Sequence, residues 1–271
     1  MKDILFITLS IFLLISGCED DPKIESSKIK GFKIYNENNE LVTEYNYGYD
    51  SEGRLNYKLT PVTIENIQYI NQIISVWNIK YDSGEKIETY YYNQGKLDSI
   101  LNTYVAPRIG PDLITFYYEN DKCIRKIEIL NDEIINVYTF IYEDESISQI
   151  VLEQKIQNDT LNYVYEYDES GKVNKIFLNG LIYSEFEYTT IENPLFKVSK
   201  SYLIHIPVHP NQEEKETITS KDLLSKAKYY DWEGIIVQEI SVQYNINNLG
   251  LPISAERTLN GKKERILFEY Q

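Results

Sequence analysis

Histidine and cysteine are nearly missing from this chain: two of each stand in 271 residues, with one methionine and two tryptophans. Nucleophile–base pairs and most metal centres draw on those two residue types, so hydrolytic and metal-centred chemistry has little raw material. No Gly-x-Ser-x-Gly, no His-Glu-x-x-His and no glycine-rich phosphate loop occurs. His205 and His209 are four apart, the spacing of a helical metal pair, but Pro207 between them forbids that helix. An extended chain would hold them about 13 Å apart, so no metal and no cofactor is expected. Positive charge is scarce too: 27 Lys and Arg against 42 Asp and Glu leave a net charge of -15. Such a surface repels phosphate backbones, and no nucleic-acid partner is expected.

The first residues hold the clearest single signal. Lys2 precedes an apolar run over 4–15, which ends in Ile15-Ser16-Gly17-Cys18. The run is shorter than the roughly 20 residues of a membrane span, so it reads as a cleaved signal. Small residues directly before a cysteine resemble a bacterial lipobox. That resemblance implies a signal peptide over 1–17 and acyl chains on Cys18, which would make the membrane a partner through the N-terminal lipid. Glu19, Asp20 and Asp21 follow, and they resemble the acidic tag that sends some Gram-negative lipoproteins to the cell surface. A plain solvated linker is the other reading of 18–29. Cys123 is left without an intramolecular partner, so the fold must stand on its core, and the thiol reads as a small buried hydrophobe.

Tyrosine is abundant, at 25 residues, and its placement carries phase. Tyr47-Gly48-Tyr49-Asp50-Ser51-Glu52-Gly53-Arg54-Leu55 matches Tyr165-Glu166-Tyr167-Asp168-Glu169-Ser170-Gly171-Lys172-Val173 position by position. Looser copies include Ile79-Lys80-Tyr81-Asp82, Tyr90-Tyr91-Tyr92-Asn93 before Gly95, Phe116-Tyr117-Tyr118, Phe140-Ile141-Tyr142, Phe186-Glu187-Tyr188, Val242-Gln243-Tyr244 and Phe268-Glu269-Tyr270. Aromatic residues two apart share one face of a strand, and Asp or Asn followed by Gly makes a turn. The unit is therefore a β-hairpin, with Tyr49, Asp50, Gly53, Tyr81, Asp82, Tyr92, Gly95, Tyr167, Asp168 and Gly171 as its turn residues. Past the turn, the apolar positions run Ile124, Ile127, Ile129; Ile147, Ile150, Leu152; and Val173, Ile176, Leu178. A strand cannot take an interval of three and then two on one face without a bulge or a turn residue at its start.

These copies resemble the tyrosine-aspartate repeats of Rhs and teneurin shells, and more closely the short lipoproteins of unknown function with a porin-like fold. The resemblance covers about residues 30–271. It implies an all-β domain of consecutive antiparallel hairpins, forming one long curved sheet or a closed barrel, and it implies no activity. A membrane-spanning barrel needs an unbroken apolar outer face. Asn46, Gly48, Glu166, Glu187 and Glu269 break that face, so the sheet is expected to be soluble with its Tyr and Phe rows inward.

Two segments depart from the repeat. Over 61–74, Ile67, Ile70, Ile74 and Trp77 fit a helix face, while Ile73, Trp77, Ile79 and Tyr81 fit a strand, which the β-branched content favours. The other departure is an insertion over 203–228, which opens with Pro207 and Pro210, and Thr219-Ser220-Lys221-Asp222 in it resembles a capping box. A loop and then a short helix ending near Lys228 are expected there. Asp98-Ser99-Ile100 and Asp159-Thr160-Leu161 resemble an O-glycosylation acceptor, which would place sugar on Ser99 and Thr160.

Three functions fit these residues. The leading one is a non-enzymatic envelope lipoprotein, outer-membrane anchored and exposed at the cell surface, whose repeat sheet is a scaffold or binding face for an unknown protein or glycan. The second is a carboxylate-based envelope glycan hydrolase. The third is an accessory or protective partner of a secreted toxin.

Overall fold

The computed structural model describes residues 28–71, 73–105, 110–194 and 222–270. The chain forms eighteen strands: β1 (Ile29–Asn36), β2 (Leu41–Tyr49), β3 (Leu55–Leu59), β4 (Thr63–Ile70), β5 (Ile73–Tyr81), β6 (Gly84–Asn93), β7 (Lys96–Tyr104), β8 (Leu113–Glu119), β9 (Lys122–Leu130), β10 (Glu133–Glu143), β11 (Ser146–Gln154), β12 (Asp159–Tyr167), β13 (Val173–Leu178), β14 (Leu181–Glu192), β15 (Asp222–Tyr230), β16 (Ile236–Ile246), β17 (Pro252–Leu259) and β18 (Lys262–Tyr270). Each pairs antiparallel with its neighbours in the chain, and β1 pairs with β18 from Ile29↔Tyr270 to Asn36↔Glu264. The sheet is closed. The expected hairpin series is thus an up-and-down barrel without a free edge, which removes the template for edge-to-edge aggregation.

Register places the aromatic rows on one face. Tyr138 faces Leu152, Phe140 faces Ile150, and Ile150 and Leu152 in turn face Tyr163 and Leu161. That face holds nearly the whole core, including Tyr47, Ile67, Tyr90, Phe116, Phe140, Tyr163, Ile176 and Phe186. Side chains converge on the concave side of a closed sheet and splay on the convex side, so the buried face is the inner one. Eighteen strands can leave an aqueous channel. Here Tyr47, Tyr90, Phe116, Phe140 and Phe186 are only 4–6% exposed at mid-height, which is the burial of a core and not of a channel wall.

The outer face is charged. Lys33 reaches Glu269 at 2.8 Å and Glu44 at 3.6 Å, and Lys226 lies 3.9 Å from both Glu187 and Glu239. A lysine at the midplane of a bilayer costs a barrel about 2–4 kcal/mol, and this face carries several along its strands.

The bulge recurs. Tyr118 pairs with Cys123 and Tyr117 with Arg125; Tyr142 with Ile147 and Ile141 with Gln149; Tyr167 with Val173 and Glu166 with Lys175. One extra residue, Ile124, Ser148 or Asn174, is accommodated each time, as the three-then-two spacing requires. One of the three apolar series is corrected. On β9 the inner residues are Cys123, Lys126 and Glu128, whereas Ile127 and Ile129 face outward, where Ile127 pairs with Thr115 and the buried Val137. Apolar identity alone misreads that strand because its outer side is also packed.

The ambiguous segment over 61–74 is strand: β4 and β5 form a hairpin with Ile67 opposite Trp77. The expected helix before Lys228 is overturned. Asp222 opens β15, where Leu224 pairs with Tyr188 and Ala227 with both Phe186 and Ile240. Two ladders of backbone hydrogen bonds outweigh a four-residue capping pattern, and the Asp222 carboxylate pairs with Lys172 at 2.6 Å instead. The rest of that insertion, with both histidines and both prolines, lies outside the described residues.

Candidate functional site

The two ends of the barrel differ in chemistry. Connections from even to odd strands lie at one end, together with the first residue of β1 and the last of β18. Each even strand carries an inner tyrosine there: Tyr49, Tyr69, Tyr92, Tyr118, Tyr142, Tyr167, Tyr188, Tyr244 and Tyr270. Six of their hydroxyls donate to backbone carbonyls of the preceding odd strand: Tyr49 to Ile29 at 2.8 Å, Tyr69 to Leu55 at 2.6 Å, Tyr142 to Cys123 at 2.9 Å, Tyr167 to Ile147 at 2.6 Å, Tyr244 to Leu224 at 2.9 Å and Tyr270 to Pro252 at 2.8 Å, while the buried Tyr118 hydroxyl has no hydrogen-bond partner. A cation from the preceding turn covers several rings, with Arg54 4.5 Å from the centroid of Tyr69, Lys122 5.3 Å from Tyr142 and Lys172 5.7 Å from Tyr188. Burial raises the phenols of Tyr49, Tyr92, Tyr118, Tyr142, Tyr244 and Tyr270, that of Tyr142 to about 12. Cys123 sits in the same layer, where burial pushes its thiol up.

The turns of the tyrosine end are polar and built as expected. Asp168 accepts from the backbone of Ser170 and Lys172 at 2.8 and 3.0 Å, and Asp50 accepts from Glu52 and Arg54 at 3.0 and 2.9 Å. Gly53 and Gly171 take φ of 80° and 79°, a conformation that asks for glycine. Tyr49, Tyr92, Gly95 and Tyr167 belong to this end. Tyr81 and Asp82 do not: they close the β5–β6 hairpin at the far end, where Tyr81 is exposed. A tyrosine-aspartate pair is therefore turn-forming at either end, and only strand parity tells the two apart. Ser99 and Thr160 face outward on β7 and β12, with Thr160 exposed. Ile15, Ser16, Gly17, Cys18, Glu19, Asp20 and Asp21 lie outside the described residues.

Toward the far end, the inner wall of β3–β10 turns polar. Lys58 lies 3.5 Å from Glu65, which also accepts from Thr63 at 2.9 Å and from the Trp77 indole at 3.1 Å. Lys86 and the Tyr90 hydroxyl each reach Glu88 at 2.5 Å. Glu128 accepts from Lys126 and Asn136 at 2.8 Å, and the Lys126 ammonium stands 3.7 Å from the Tyr138 ring centroid. Asn102 donates to the Pro111 carbonyl at 2.8 Å, while its buried Oδ1 has no hydrogen-bond partner. This arc was missed in sequence, since its members are scattered over seven strands. Beyond the arc, β11–β13 carry Leu152, Leu161 and Leu178 on the same face at similar heights, while Arg257 pairs with Glu264 at 2.5 Å on the inner face of β17 and β18.

The far-end rim is apolar. Leu41, Val62, Tyr81 and Val105 are exposed at the turns leaving β1, β3, β5 and β7, and Ile134, Ile156, Leu181 and Trp232 at those leaving β9, β11, β13 and β15. Among the described residues at the tyrosine end, the exposed large apolar ones are Ile70, Ile246, Leu249 and Ile253, at the β4–β5 and β16–β17 connections.

Comparison with known proteins leaves the family open: no family model matches the chain, and no curated protein does. Solved structures align with it over most of their length. One is a porin-like protein from Bacteroides uniformis, 14% identical, with a TM-score of 0.46 over 90% of this chain and 98% of that one. Another is a porin-like protein from Bacteroides vulgatus, 9% identical, with a TM-score of 0.35 over 90% and 99%.

Proposed function

We propose that this chain is an exported, non-enzymatic binding module, tethered by lipid on Cys18 and held with its far end away from the membrane. The observation that carries this is the pairing of Ile29 with Tyr270, which brings the first residue of β1 and the last of β18 to the tyrosine end. A linker over 18–29 then leaves from that end, beside polar turns, and the apolar rim points outward. The acidic Glu19, Asp20 and Asp21 fit display at the cell surface, and the charged outer wall fits a barrel standing in water. A hydrolase finds its best carboxylates in Glu65, Glu88 and Glu128, but each is bound to a lysine and to a hydroxyl, indole or amide donor inside the wall, which describes a structural network.

Protease shaving of intact cells, paired with mass spectrometry of the N-terminal peptide, tests this reading. A diacylated or triacylated Cys18 and external cleavage are expected. An intact residue 1, or an acylated Cys18 with full protection in intact cells, would overturn anchoring or display respectively.

A further inference from the structure

We infer that the far-end rim is a docking surface for a protein partner that presents an apolar face surrounded by lysine and arginine. The inference rests on the binding-module reading and names the partner class. Scattered exposed apolar residues are ordinary; their concentration on one end is not. Both ends are built from hairpins closed by Asn, Asp and Gly, so turn chemistry does not dictate the difference. Yet Ile156 is 73% exposed, Val62 67%, Trp232 66%, Val105 61%, Ile235 57% and Val237 56%, all at the far end. Trp232 and Ile235 share the β15–β16 connection, with Val237 just inside β16, and the turn holds its shape by Asp231 accepting from Glu233 and Ile235 at 2.9 Å. An ordered turn thus displays a tryptophan with about two-thirds of its surface exposed, a residue type enriched at binding hot spots.

Charge selects the occupant. Glu37, Glu40, Asp82, Asp112, Asp132, Asp231 and Glu233 stand in the same turns, against Lys155 there and Lys262 and Lys263 at the start of β18, among the described residues. An anionic lipid surface would be repelled, and a second copy docking rim to rim would set like charge against like. A basic apolar face meets both features at once.

The test uses the purified full chain and a fluorescent synthetic amphipathic helix of leucine and lysine, beside a lysine–serine peptide of equal charge. The leucine–lysine helix is expected to bind at least about tenfold more tightly than its serine counterpart. Its binding should weaken with added salt and fall about tenfold or more in the triple variant Val62→Ser, Ile156→Ser, Trp232→Ser. Ile70→Ser with Leu249→Ser, at the tyrosine end, should leave it unchanged. All these positions are exposed, and unchanged melting curves verify folding. Equal binding by the rim variant, equal binding of the two peptides, or no binding by the wild type would overturn the inference. So would rim-dependent binding to phosphatidylcholine vesicles or rim-dependent dimers in sedimentation, which assign the surface to lipid or to a second copy. Export plays no part in this measurement, so a failed shaving experiment leaves its outcome intact.

Discussion

A tyrosine hydroxyl is a small feature, but in this barrel it is reused around a whole end. Each ring packs on the inner wall, and six of the nine hydroxyls donate to a carbonyl of the preceding odd strand. Tyr142→Phe removes the bond to the Cys123 carbonyl and keeps the ring; a loss of about 1 kcal/mol in urea unfolding is expected. The same phenols set an alkaline limit. Burial raises the Tyr142 hydroxyl from 10 to about 12, so its protonated form is favoured in the folded state. That contribution is complete below pH 10 and is lost as pH rises toward 12. The urea midpoint should therefore fall over that window, while 295 nm absorbance shows native tyrosines ionising later than those of the unfolded chain. Within the polar arc, Lys126→Met takes the ammonium from the largely buried Glu128 carboxylate, and a cost of about 3 kcal/mol or more is expected. Adding Glu128→Gln should recover much of it, which a double-mutant cycle by thermal unfolding would read.

At the level of the element, the repeat works because one extra residue after each tyrosine-end turn resets the strand phase. Ser148 is such a residue, between Ile147 and Gln149, and its hydroxyl donates to the Ile141 carbonyl at 3.3 Å. Deleting Ser148 would send Ile150 and Leu152 to the outer face, or else pull Ile147 off Tyr142; either way the core row of β11 is broken. Failure to accumulate as folded protein is the expected outcome, whereas Ser148→Ala should fold normally, with the two compared by circular dichroism. Much of this was legible in sequence. The matched copies at Tyr49 and Tyr167 identify the hairpin, and the three-then-two spacing identifies the bulge. The strand phase of β9 and the strand at β15 were not legible. In β9 the isoleucines lie on the outside because β8 and β10 offer them partners there, and in β15 a capping pattern is overruled by two neighbouring strands. Both outcomes depend on contacts far away in sequence.

For the molecule as a whole, closure between β1 and β18 decides whether a long hairpin ribbon is a stable body or an aggregating sheet. A chain ending at Leu259 would lose β18 and expose β1 and β17 as long unpaired edges. It is expected to be insoluble, while the full chain stays in the supernatant, as fractionation by centrifugation would show. Local chemistry by itself determined the hairpins, their turns, the acidic balance and the shortage of catalytic residue types, because each depends on neighbours a few positions apart. Only the tertiary structure decided that the sheet closes, that strand parity gathers most of the exposed apolar side chains of the described residues at one end, and that Lys58, Glu65, Lys86, Glu88, Lys126 and Glu128 line one wall. Those features follow from strand count and register summed around the barrel, and no local stretch of sequence encodes that sum.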